Sequence, residues 1–277
     1  LDEKRKDTSY PKILILRIDY SPSKVFNIGI NRFSQYGGKG LPSLKIWDYP
    51  KFLSGSEDNV SYSKYDGDGY FGYDITANLE KYFKNFQKVK VYFQQIATDI
   101  KAPWQKEDSS KIYFPFIAKL QLNSYQAGFE IHKSSNIYNL EFTTINDLFY
   151  IHHYYNIEGY SYKGFALGEP YGRYLYELYF KHKIIFKKEY FSYKIGYLRQ
   201  PSDDKIRKNI LYSYPYKVNK YYMELNFLKL CGNTEILPYI RLEYNNNYDS
   251  DPNPMQFDLK PDNKFYFITG FSLKIKI

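Results

Sequence analysis

Apolar and polar residues alternate with a period of two through most of the chain from Lys12 onward. This predicts strands whose two faces meet different surroundings, because successive side chains of a strand point to opposite sides. At the C-terminus Phe265, Phe267, Thr269, Phe271, Leu273, Ile275 and Ile277 share one face, while Tyr266, Gly270, Ser272, Lys274 and Lys276 share the other. Phe71, Tyr73, Ile75 and Ala77 oppose Gly72, Asp74, Thr76 and Asn78 in the same way, and Phe191, Tyr193 and Ile195 oppose Ser192, Lys194 and Gly196. Tyr221, Met223 and Leu225 alternate with Tyr222, Glu224 and Asn226. About 13 such segments are expected, over residues 12–20, 25–33, 69–82, 87–97, 114–122, 125–132, 137–145, 149–156, 173–182, 186–199, 219–231, 236–246 and 264–277.

The connections alternate in length. Short turns are expected near 21–24, 83–86, 123–124, 146–148, 183–185 and 232–235, and long loops at 34–68, 98–113, 157–172, 200–218 and 247–263, with 133–136 a short exception. Segments of about ten residues with terminal aromatics, short turns on one side and long loops on the other are the marks of an outer-membrane barrel. No run approaches the about 20 apolar residues that a spanning helix needs, and mean hydropathy is -0.60. The expectation is an all-β, antiparallel transmembrane β-barrel. Its inward face would carry Asp74, Glu80, Glu130, Glu141, Glu177, Glu224 and Glu243, with Lys90, Lys119, Lys194, Arg241 and Lys274. Periodicity alone leaves a soluble sandwich open, since its apolar faces could pack on each other.

With the long loops outside, the last strand descends to the periplasm, and counting back, so does the first. An odd count predicts that further strands precede these residues, because a barrel pairs every edge. Pro115 makes 114–122 the least regular segment. No apolar leader precedes Pro11, so a secretion signal is expected outside this sequence.

Composition refines the picture. Aromatic residues form 21% of the chain, 34 of them Tyr, and 39 Lys and Arg against 30 Asp and Glu give a net charge of +9. The basic residues form no block and accompany no Gly-rich phosphate loop, which argues against nucleic acid as a partner. An acidic polysaccharide or lipopolysaccharide phosphates suit them better. Cys231 is the one cysteine, so the chain forms no internal disulfide. His152 and His153 are adjacent on an expected strand and point to opposite faces, so neither a shared metal nor any cofactor is expected. Ser161 lies near His153 in sequence, but no G-x-S-x-G marks a nucleophile, and the expectation is a non-enzymatic protein.

Two loop segments carry a resemblance. Residues 32–42, RFSQYGGKGLP, resemble the R-x-x-Q-x-G-G-x-G-x-P stretch of the capsule assembly (Wzi) family, and 152–168, HHYYNIEGYSYKGFALG, resembles its H-H-x-Y and G-Y-x-x-x-G-x-x-L-G elements, in the same order. The resemblance implies an outer-membrane barrel of about 18 strands with N-terminal helices at its periplasmic side, acting as a lectin-like anchor for capsular polysaccharide. Residues 1–277 would then be a single barrel domain, its C-terminal part, without the N-terminal strands and helices. Candidate polysaccharide-binding residues are Arg32, Gln35, Trp47, Tyr160 and Arg173. Gly37, Gly38, Gly40, Pro42, His152, His153, Gly159, Gly164 and Gly168 would shape the loops. The expected partners are capsular or other surface polysaccharide, outer-membrane lipid and the barrel assembly machinery, in the bacterial outer membrane. A porin or polysaccharide exporter is the rival function, since it needs the same polar interior.

Overall fold

The computed structural model describes residues 12–38, 43–53, 65, 67–101, 113–114, 118–145, 161–162, 165–166, 175–200, 217–231, 234–248 and 263–275. They form β1 (Lys12–Tyr20), β2 (Phe26–Tyr36), a single 3-10 turn (Ile46–Asp48) leading into the short helix α1 (Tyr49–Leu53), β3 (Gly67–Asn78) and β4 (Lys88–Lys101). Next come β5 (Tyr113–Phe114), β6 (Ala118–Lys133), β7 (Asn136–Ile145), β8 (Ser161–Tyr162), β9 (Phe165–Ala166), β10 (Leu175–Phe186) and β11 (Glu189–Gln200). The last are β12 (Lys217–Cys231), β13 (Thr234–Tyr248) and β14 (Asn263–Ile275).

One antiparallel sheet runs in the order β1-β2-β3-β4-β6-β7-β10-β11-β12-β13-β14, with β5 hung on β6, while β8 and β9 pair with each other. It is a meander in which each long strand hydrogen-bonds to the next long strand in sequence. β1 and β14 lie at opposite ends of that order.

The strand count differs from the expectation in one region. Residues 114–122 and 125–132, taken as two strands, belong largely to the single strand β6, and the turn expected at 123–124 does not form. The register shifts between Ala97 and Thr98 where β4 meets β6, opposite Asn123. Such a bulge slips the period by one residue and imitates a break. The expected strand 149–156 lies outside the described residues. With β6 continuous, the short exception at 133–136 becomes an ordinary turn. Short connections (21–25, 79–87, 134–135, 187–188, 232–233) and long ones alternate in length without exception along the path. Ser134 and Lys187 have φ of 54° and 57°, the left-handed backbone that two-residue hairpin turns require. Glu80, expected on the inward face, sits in the turn after β3 and is exposed.

The faces follow the predicted parity. Arg17, Asn31 and Asp74 converge on one side through their hydrogen bonds. By register this polar face continues through Lys90, Gln126, Glu141, Lys181, Lys194, Glu224 and Arg241. The opposite face presents Leu16, Ile18, Ile30, Ile75, Val91, Leu178, Ile195 and Tyr221, all exposed. β14 conforms: Phe265, Phe267, Phe271 and Leu273 lie on the apolar side, and Lys274 pairs with Glu235 on the polar side.

Glycines let the polar face curve. Tyr92 pairs with Gly128, Tyr222 with Gly196 and Tyr239 with Gly270. In each pair the tyrosine ring occupies the space that a Cβ on the glycine would need. The ring thereby bridges to the strand beyond: Tyr92 donates to Glu141 on β7 (2.5 Å) and Tyr222 to Glu177 on β10.

Candidate functional site

The first family-like segment spans the end of β2 and the connection after it. Tyr36 closes β2, and Gly37 and Gly38, with φ of 62° and 123°, turn the chain out of the sheet through backbone that a side chain would strain. The chain then folds over the apolar side of the wall. Tyr36, Phe52 and Tyr65 form a small core against Leu14 and Leu44. Tyr36 and Phe52 have ring centroids 4.9 Å apart, and the Tyr36 hydroxyl lies 3.2 Å from that of Tyr49. Asp48 fixes the bend. Its Oδ2 accepts from the Lys45 backbone N–H (2.8 Å) and its Oδ1 from the Tyr65 hydroxyl (3.1 Å).

This geometry sorts the candidate residues. Arg32 is a wall residue within β2, 4% exposed, on the same side as Ser34 and Tyr36. Gln35 lies in β2 opposite Ile13 and Asp68. Trp47 is 85% exposed, beside Ile46 at 70%. Gly40, Pro42, His152, His153, Gly159, Tyr160, Gly164, Gly168 and Arg173 lie outside the described residues.

A constellation that the motifs did not single out lines the polar face. A cavity of about 640 Å³ opens there between Arg17, Lys90, Gln126, Glu141, Lys181 and Lys183. Its carboxylates already hold donors. Asp74 accepts two bonds from Arg17 (2.8 and 3.1 Å) and one from Asn31 (3.1 Å). Glu141 accepts from Tyr92 and from Gln126 (2.9 Å), and Glu130 pairs with Lys88 (2.7 Å) and His132 (2.9 Å). Farther along the sheet Lys194 joins Tyr222 on Glu177 (3.2 Å), and Arg241 bridges Glu224 (2.5 Å) and Glu243 (2.7 Å). The wall is thus a linked network of ion pairs and tyrosine bonds. Parity had signalled its carboxylates with Lys194 and Arg241, while Arg17, Asn31, Lys88, Tyr92, Gln126, His132 and the pairings needed the register. Lys181 and Lys183 have no carboxylate partner among the described residues, and the Lys183 Nζ stands 3.7 Å from the Tyr190 ring centre.

Comparisons agree with this architecture. The family model described as capsule assembly protein Wzi matches residues 1–195. A solved structure of Wzi from Escherichia coli, described as an outer membrane protein involved in group 1 capsule assembly and as a carbohydrate binding β-barrel, matches at a TM-score of 0.65 and 20% identity. The match covers 98% of this chain and 52% of that one, so the chain spans about half the length of the Escherichia coli protein. Comparison with curated proteins gives no match.

Proposed function

The chain belongs to the Wzi capsule assembly family, and from that premise we propose that it forms part of the wall of a bacterial outer-membrane β-barrel that binds surface polysaccharide without catalysing a reaction. The observation that carries this reading is the wall itself. One face of the meander is mainly apolar and, away from the loop end, exposed, the other is a charge-paired polar lining, and every long connection leaves the same end. Apolar outside, polar inside and long loops on one side are what lipid and an extracellular ligand require of a barrel.

Polysaccharide contact is assigned to the loop end, through Gln35, Tyr160 and Arg173. The ring packs on sugar faces and the guanidinium grips a uronate carboxylate with parallel hydrogen bonds. Each contact is weak, and repetition along a polymer supplies retention. The test is Tyr160→Ala with Arg173→Ala in the full-length protein, read as capsule released into the medium while polymer synthesis and barrel insertion are unchanged. Capsule that stays on the cell would reject these two residues as the contact.

A further inference from the structure

The connection after β2 folds over the outside of the wall at a definite height, and its most exposed residues are a large apolar pair. We infer that residues 43–53 form a membrane anchor in which Ile46 and Trp47 enter the lipid of the outer leaflet. This rests on the barrel reading above and adds a lipid contact to it.

Four observations converge. The first is side. Tyr36, against which Phe52 packs, and Leu14, which packs on the same cluster, share the face of Leu16, Ile18 and Ile30, so the segment lies on the lipid-facing side and not in the mouth. The second is height. Tyr20 marks the turn end of β1, and the climb from there to Lys12, at about 3.4 Å per residue and a tilt of about 40°, is about 20 Å, against an apolar band of about 25 Å. The base of the loop therefore stands at the level where the outer leaflet meets water.

The third is that the wall beneath is arranged for cover. Arg32 and Ser34 lie on the lipid-facing side yet are 4% and 1% exposed. Farther round on that side, at the loop end, Ala97 is 0% exposed and Gln95 accepts from the Tyr73 hydroxyl (2.6 Å). Bare lipid is thus not what this part of the outer wall meets. The fourth is chemistry. Ile46 and Trp47 are held outward by the Asp48 bonds while Phe52 is buried, and exposed Lys45 precedes them. Trp beside Lys at such a height is the composition of the membrane interface, where the indole sits among headgroups and the ammonium reaches phosphate.

The test uses Trp47 as its own probe. Trp47 and Trp104 are the two tryptophans of these 277 residues, so a full-length protein in which Trp104 and every tryptophan outside this sequence is replaced by Phe, or by Tyr if that variant fails to assemble, reports from Trp47 alone. It is placed in vesicles of phosphatidylcholine and phosphatidylglycerol with and without brominated acyl chains. The expected result is a blue-shifted Trp47 emission that loses roughly half its intensity to the brominated chains and is poorly quenched by acrylamide, as an interfacial indole should be. Free quenching by acrylamide with no effect of bromine would overturn the anchor. A shift seen only on adding acidic polysaccharide would overturn it in favour of a sugar platform. Loss of heat-modifiable migration of the vesicle-bound protein would overturn the barrel reading, and the anchor with it.

Discussion

Gly196 on β11 lies directly under the ring of Tyr222 on β12, its register partner, and the absence of a side chain there is what lets Tyr222 reach across to Glu177 on β10. Gly196→Ala should push the ring off its seat and break that bond. The expected cost is about 1 to 3 kcal/mol, read as a lower urea midpoint for loss of heat-modifiable migration. An unchanged midpoint would mean that the ring has room to move aside.

Glu177 collects two donors, Tyr222 and Lys194, and its side chain is 6% exposed while that of Lys194 is 20% exposed. Removing the carboxylate leaves the ammonium without its ion-pair partner. Glu177→Ala should cost about 2 to 3 kcal/mol, and the double variant with Lys194→Ala should recover part of it. Strictly additive losses would show that the two residues are not coupled.

The two faces of β14 give a sharper contrast. Phe267, 64% exposed on the apolar side, pairs with Leu242, whereas Ser272 shares the polar side with Gly270 and Lys274. Arginine at position 267 should cost about 2 to 4 kcal/mol near the middle of the bilayer, and lysine at position 272 should be tolerated. Equal costs at the two positions, measured by denaturant titration in vesicles, would contradict lipid on the apolar side. Deleting residues 271–277 takes away the end of the strand on which β13 closes, and should abolish insertion into the outer membrane.

A last prediction separates the anchor from its rival. In planar bilayers the full-length protein should show no steady open conductance, because the carboxylates lining the described cavity are already occupied by neighbouring donors. A stable channel of fixed unitary size would favour the porin or exporter.

The alternation that placed Glu177, Lys194, Arg241 and Phe267 was legible because a strand has a fixed period and the two surroundings differ in polarity. It failed at Asn123, where a bulge between β4 and β6 adds a residue to the count and mimics a turn. Arg32 shows a different effect. The expected strand 25–33 already held Arg32 near its upper end, but β2 runs on to Tyr36, so Arg32 lies within the wall, at an apolar parity with Ile28 and Ile30. A charge in that phase was a sign that something other than lipid covers the wall there. The seats of Tyr92, Tyr222 and Tyr239 needed the register, since only pairing reveals that each ring faces a glycine.

The strict meander has a consequence for how such a surface diversifies. Each strand along the path finds its partner through a connection of its own, and the short connections at one end join five strand pairs. The other end carries the long connections. A loop there can be lengthened, shortened or exchanged at an entropic cost that grows only slowly with its length, without displacing any tyrosine from its glycine or any carboxylate from its donors. Natural variation in the recognised polymer should accordingly accumulate at one rim of the protein, while the pairing that builds the wall drifts little.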